Sequence, residues 1–227
     1  MVSRSALSAA VVPALHDALT FWLPIACAGC GALDVGLCSG CRAALAAASH
    51  RRRTADGLVV TSAMEFSGVP ARVLRALKEE GRTSLARALA PPLALVLADA
   101  VAPDTVVATV PSSRAAYRRR GYRPVDLLVR RGGHAPVPLL RVARAPRDQR
   151  GLDREARRAN VGGVFVSRPV RGRRVVLVDD VVTTGATLDD ASRALRVAGA
   201  AEVVAATLAH TPLRVDPSRQ HAKDKSG

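Results

Sequence analysis

The residues best suited to chemistry lie in one run, Val175-Val176-Leu177-Val178-Asp179-Asp180-Val181-Val182-Thr183-Thr184-Gly185-Ala186-Thr187. Four apolar β-formers lead into two adjacent acids and then into a small, hydroxyl-rich turn. Leu188 to Ala198 follows with helical spacing. A strand, a tight loop and a helix N-terminus in that order form an anion site, because the loop and first-turn N–H groups have no intrahelical partner and the helix dipole favours negative charge. Gly185 and Ala186 permit close backbone approach, and Thr183, Thr184 and Thr187 supply hydroxyl donors. Carboxylates repel phosphate, so Asp179 and Asp180 must face another part of the ligand. A sugar phosphate satisfies both demands, with its phosphate in the loop and its vicinal hydroxyls on the acids. A Mg²⁺ shared with a diphosphate fits the same carboxylates.

A buried strand ending in a capped helix, with Asp180 and Thr187 as caps, accounts for one acid and one threonine but not for the whole run. A P-loop would need Gly-Lys-Ser/Thr, which is missing. The segment resembles the phosphoribosyl-pyrophosphate (PRPP) signature of type I phosphoribosyltransferases. The likeness extends to the Cys27–Cys41 cluster, to Arg119-Arg120-Gly121-Tyr122, to the spaced set Gln149, Leu152, Arg157 and Asn160, and to Gly199-Ala200. Together these match the ComF family of bacterial competence proteins over about residues 20 to 210. The resemblance implies an α/β fold with a type I phosphoribosyltransferase-like parallel sheet flanked by helices, and a small N-terminal zinc-binding module. It also implies PRPP binding at Asp179, Asp180, Thr183, Thr184, Gly185, Ala186 and Thr187.

The cysteines form two C-x-x-C pairs, Cys27-Ala28-Gly29-Cys30 and Cys38-Ser39-Gly40-Cys41. Two such knuckles complete the tetrahedral four-sulfur set that Zn²⁺ prefers, and they leave no ligand position open for catalysis. The metal is therefore expected to be structural. Disulfides and thioredoxin-like redox chemistry are the alternatives, the first disfavoured in a cytosolic protein and the second needing only one pair.

A diphosphate needs a second anion site. After the strand Thr105–Val110 comes Pro111-Ser112-Ser113-Arg114, then Tyr117-Arg118-Arg119-Arg120-Gly121-Tyr122. Hydroxyls and arginines at a strand end suit a diphosphate, and the resemblance assigns that role to Ser112, Ser113 and Arg114, with Arg119 and Arg120 beside them. A solvated basic helix start or a nucleic-acid patch is the rival reading. Arg144 to Asn160 is too polar for a core strand and too long for a plain turn. Related enzymes close such a hood over PRPP, which brings Arg147, Gln149, Arg157 and Asn160 towards the ligand. The family follows its Arg-Gly-aromatic motif with Asn-Gln, where this chain has Arg123-Pro124.

No nucleophile or catalytic base is assigned: transfer from Mg-PRPP to a nitrogenous acceptor with release of pyrophosphate needs none. The acceptor leaves no mark in the sequence. A non-catalytic alternative uses the same pocket to sense PRPP or a nucleotide, while arginines contact single-stranded DNA or competence-machinery partners. Only Tyr117 and Tyr122 sit among arginines for base stacking.

Several elements must position these groups. The spacing predicts helices over 1–26, Ala43–His50, Val69–Glu79, Ser84–Val101 (broken or kinked at Pro91-Pro92), Tyr122–Arg131 and Leu188–Ala198. Strands are expected at Leu58–Phe66, Thr105–Val110, Pro138–Val142, Val175–Val178 and Val203–Leu208, with Arg51-Arg52-Arg53 as a linker. The domains expected are residues 1–50, a helix with the zinc module; 51–210, the phosphoribosyltransferase-like unit; and 211–227, a disordered tail. At 227 residues and 48% hydrophobic content the core is sizeable, and 3% aromatics makes it one of Val, Leu and Ala. The net charge of +15 rests on arginine, because Lys78, Lys223 and Lys225 are the only lysines. That charge favours polyanions, although GC-rich codon usage alone produces the same bias. His16 and Asp17 interrupt the N-terminal apolar stretch and no run reaches the roughly 20 residues of a membrane span. A cytoplasmic location is expected.

Overall fold

The computed structural model describes residues 25–143 and 163–212. A five-stranded sheet forms its centre, in the order β1-β2-β7-β6-β3. The strands are β1 (His50–Arg53), β2 (Val59–Glu65), β3 (Val106–Thr109), β6 (Arg174–Val182) and β7 (Glu202–His210). β2, β7, β6 and β3 run parallel, and β1 is antiparallel to β2 at the edge. The expected α/β architecture, a mostly parallel sheet flanked by helices with a cysteine cluster at its N-terminal side, is what the chain adopts.

β6 explains the layering. Val176 and Val178 face a core built with α2 (Gly68–Glu79), α3 (Ala86–Ala100) and α5 (Pro124–Arg131), through Val73, Leu77, Leu89, Leu93, Val125 and Leu128. Val175 and Leu177 face the opposite core with α6 (Ala186–Val197), through Leu188, Ala191 and Leu195. All four β6 residues are fully buried. Burial on both faces is why this strand reads as a continuous apolar run rather than an alternation. Each βαβ crossover then returns the chain so that the ends of β3 and β6 share one edge of the sheet.

Four expectations are corrected. The short helix is α1 (Ser39–Ala43), inside the second cysteine knuckle, and not Ala43–His50. Arg51-Arg52-Arg53 is no linker but most of β1, paired with Val59–Thr61. Its three arginines are tolerated because an edge strand keeps one side in water. Of the break or kink expected at Pro91 and Pro92, the break is absent: α3 follows a 3₁₀ turn at Thr83–Leu85 and runs through both prolines. The carbonyls that lose donors belong to Arg87, exposed, and Ala88, half-buried, while the ring of Pro92 packs inward. Finally, β6 extends to Val182, so Asp179 and Asp180 lie within the strand rather than beyond it.

The strand expected at Pro138–Val142 is present as β4 (Leu140–Val142) and pairs antiparallel with β5 (Phe165–Ser167) in a separate two-stranded sheet. Two elements were not anticipated, β5 and the helix after Ser113. Arg114–Arg120 forms α4, with the Ser113 hydroxyl accepting the Ala116 N–H at 3.1 Å and Gly121 closing it at φ 75°. No described helix is long and apolar enough to cross a membrane. The helix expected over 1–26, the tail and the hood residues Arg147, Gln149, Arg157 and Asn160 fall almost wholly or wholly outside the described residues.

Candidate functional site

β6 ends at Val182, and Thr183, Thr184 and Gly185 turn the chain into α6. Gly185 is buried, caps the helix and holds φ at +93°, a left-handed conformation that favours glycine. Thr183, Thr184, Ala186 and Thr187 are exposed around it. The Thr184 hydroxyl accepts the Ala186 N–H at 3.4 Å. The first-turn amides of α6 therefore open onto solvent at the sheet edge, as an anion would require.

The acids sit just below. Asp179 Oδ1 accepts the backbone N–H of Asp180 at 2.8 Å, and Asp180 Oδ2 pairs with Lys78 Nζ at 2.8 Å. Burial pushes the Asp179 carboxyl up to about 7, helped by repulsion from Asp180 and opposed by the Asp180 N–H and the Lys78 charge. One carboxylate thus carries a cation and its neighbour resists ionisation. Lys78 arrives from the last turn of α2, whose stripe of Val73, Leu74 and Leu77 seats it on the core. Sequence reasoning passed over it, although it is the only lysine before residue 223 in a chain with 34 basic residues.

At the end of β3, Val110 N–H donates to the Val178 carbonyl at 2.9 Å, which joins the two site strands. Ser112 and Arg114 line a cavity of ≈ 610 Å³ together with Arg123, Arg141, Ser167 and Arg168, and among the described residues none that lines it is acidic. Ser113 is an N-cap, so its hydroxyl already serves α4. Arg119 is exposed on that helix and Arg120 is half-buried. Tyr122 donates to the Leu77 carbonyl, next to Lys78. Arg123 lies 5.4 Å over the Tyr117 ring and 3.8 Å from Asp126, whose other oxygen accepts from Thr109 at 2.6 Å.

The cysteines assemble separately. The ligand atoms of Cys27, Cys30, Cys38 and Cys41 lie within 4.8 Å of one another, with Cys30 and Cys38 sulfurs 3.7 Å apart. A tetrahedron with metal–sulfur bonds of about 2.3 Å has edges of about 3.8 Å, so the donor set fits a single ion. Backbone N–H groups of Cys38 and Gly29 reach the Cys27 sulfur at 3.4 Å, and hydrogen bonding led by Cys38 pulls that thiol down to about 5. Burial pushes Cys41 the other way. Gly29 has no alternative here, because a Cβ would stand 2.5 Å from the Cys41 sulfur.

A family model described as the phosphoribosyl transferase domain matches residues 83–226. The chain belongs to that family. It is also similar to competence protein F of Haemophilus influenzae, at 36% identity over 94 residues, covering 37% of this chain and 41% of that one. The DNA utilization protein YhgH of Escherichia coli K12 is 37% identical over 107 residues, 44% and 47% of the two chains. Adenine phosphoribosyltransferase of Mycobacterium marinum is 34% identical over 105 residues, 44% and 53%. The chain thus spans about half the length of the curated relatives it matches. Among solved structures, adenine phosphoribosyltransferase from Saccharomyces cerevisiae aligns at 17% identity, with a TM-score of 0.39 over 77% of this chain and 90% of the other. The resemblance to competence protein F noted from the sequence therefore stands.

Proposed function

We propose that the protein binds Mg-PRPP and transfers ribose 5-phosphate to a nitrogenous acceptor, releasing pyrophosphate. One observation carries this reading: in a phosphoribosyl transferase domain, an exposed, glycine-centred loop at a helix N-terminus directly follows two carboxylates at the same sheet edge. The 5′-phosphate takes the amides and hydroxyls of residues 183–187. The ribose hydroxyls donate to Asp179 and Asp180. Lys78 keeps the acid pair neutralised until the ligand arrives, then turns to the diphosphate side, a movement of one flexible side chain. Ser112 and Arg114, with the arginines of their cavity, receive the diphosphate. As the anomeric C–O bond stretches, positive charge grows on the ribose and negative charge on the departing diphosphate. The acids favour the first and the arginines the second. Asp179 and Asp180 would hold the Mg²⁺ that accompanies PRPP, and when bound it would supply positive charge to neutralise the leaving group. Arg119 and Arg120 complete the diphosphate side, and the hood residues Gln149, Arg157 and Asn160 would close over the bound ligand.

Isothermal titration with Mg-PRPP tests it. Saturable one-site binding is expected for the natural chain, with none for the Asp179→Asn/Asp180→Asn double variant. Unaltered affinity in that variant removes the role given to the acids.

The same reading gives the four cysteines a structural zinc ion and divides the chain into 1–50, 51–210 and 211–227. A second reading, contact with single-stranded DNA or competence partners, draws on α4. None of its residues is buried, it ends in Arg118, Arg119 and Arg120, and Tyr117 is 46% exposed beside Arg123. The names of the relatives in Haemophilus and Escherichia point the same way. DNA affinity that falls steeply between low and physiological salt favours that reading.

A further inference from the structure

The hairpin joining β1 to β2 reaches across to the loop that heads α6, although more than 120 residues separate them in sequence. Arg52 donates from Nη2 to the Thr183 carbonyl at 2.5 Å. The Thr54 hydroxyl donates to Asp189 Oδ1 and accepts the Leu58 N–H at 3.1 Å, so the hairpin's own backbone orients it. The Asp56 N–H lies 3.5 Å from Asp189 Oδ2. Arg193 spans Asp56 at 3.1 Å and Asp190 at 3.0 Å and fastens the turn to the helix. The methyl of Thr54 packs on Gly185 so closely that a Cβ there would stand 2.5 Å from it.

We propose that this hairpin is the positioning element of the phosphate loop, with Arg52 and Thr54 as positioning residues that keep residues 183–187 open to an anion. The proposal rests on the sugar-phosphate reading of that loop. Asp189 is the reason a positioning element is needed. It lies in the first turn of α6 and is 7% exposed, a buried carboxylate one turn from the amides that would hold phosphate. Left unpartnered, it would be costly and would be drawn to those same amides, in competition with the ligand. Thr54 and Asp56 satisfy it from the opposite side and so keep it off the site. Arg52 pins the Thr183 carbonyl, which fixes the start of the loop. Among the described residues Arg52 has no carboxylate partner, so its charge also adds to the positive field at the loop.

The test uses Thr54→Val, which keeps the shape and removes the hydroxyl, Thr54→Ser, which restores it, and Arg52→Met as a second route should the valine variant fail to fold. Ribose 5-phosphate and Mg-diphosphate are titrated separately into the full chain, and amide hydrogen exchange is followed at Asp189, whose N–H bonds the Gly185 carbonyl at 2.9 Å. Thr54→Val and Arg52→Met should weaken ribose 5-phosphate about tenfold and speed Asp189 exchange by a similar factor, the scale of one hydrogen bond to a charged or strained group. Mg-diphosphate affinity should not move, and Thr54→Ser should behave as the natural chain. Unchanged exchange and unchanged ribose 5-phosphate affinity in both variants overturns the proposal. A natural chain that ignores ribose 5-phosphate removes the sugar-phosphate reading instead, and the exchange rates then decide the role of the hairpin alone.

Discussion

At the scale of residues, Asp179 makes a claim that needs no ligand. Its folded carboxyl is raised from 3.8 to about 7, chiefly by burial. Between those values the native chain holds a proton that the unfolded chain has released, so stability falls as pH rises through that window. Asp179→Asn should flatten this fall and leave the variant the more stable of the two above pH 7, read from denaturant midpoints at pH 4.5 and 8. An equal slope in both proteins would show that the carboxyl is not buried as described. Gly185→Ala makes the opposite kind of prediction. A methyl at φ +93° strains the backbone and meets Thr54, and with Gly-specific conformations the cost is about 1–2 kcal/mol before the clash is added. A thermal melt checks it.

At the scale of elements, α3 is informative because its prolines ought to harm it. A proline inside a helix costs about 3 kcal/mol relative to alanine, part of which is returned by a stiffer unfolded chain. Pro91 is exposed, and the carbonyl it leaves without a donor belongs to Arg87, also exposed. Pro91→Ala should therefore stabilise the protein by about 2 kcal/mol, measured by urea unfolding. Stability unchanged or lowered would mean that the proline sets a bend the packing needs. The same element shows what a sequence reveals. Its periodic apolar residues, Leu89, Leu93, Val96 and Leu97, made the helix legible, whereas burial against β7 and α5 was what carried it through two helix breakers. β6 was legible because both its faces are buried. β1 was not, since three arginines look like a solvated linker until β2 lies beside them. For α4 the local signals were present, a serine cap and a closing glycine, but the arginines between them resembled an anion-binding loop. Of the candidate site, the acids and the threonine loop could be read directly. Lys78, Arg52 and Thr54 could not, because their partners lie more than 100 residues away.

At the scale of the whole molecule, the cysteine module and the sheet are tied by arginines from one helix and the turn after it. Arg72 donates to the Gly29 carbonyl, and Arg82 donates to the Ala26 and Gly36 carbonyls at 2.8 Å each. A metal held by the four cysteines would thus also fix the end of α2, where Lys78 sits. Metal analysis should find one zinc per chain. Stripping it with a chelator should lower the melting temperature and weaken PRPP binding, the second effect passing through α2. A chain stripped of metal with the same melting temperature would leave the module ornamental to the fold. The net charge of +15 attracts polyanions generally, so salt dependence must accompany any binding result.

The most direct measurement is a crystal structure of the natural chain with ribose 5-phosphate and Mg-diphosphate. Phosphate density is expected on the amides of residues 184–187, with sugar hydroxyls within hydrogen-bond distance of Asp179 and Asp180 and with Lys78 moved off Asp180. Phosphate bound elsewhere, with the Lys78–Asp180 pair intact and the threonine loop empty at saturating ligand, would contradict the sugar-phosphate reading.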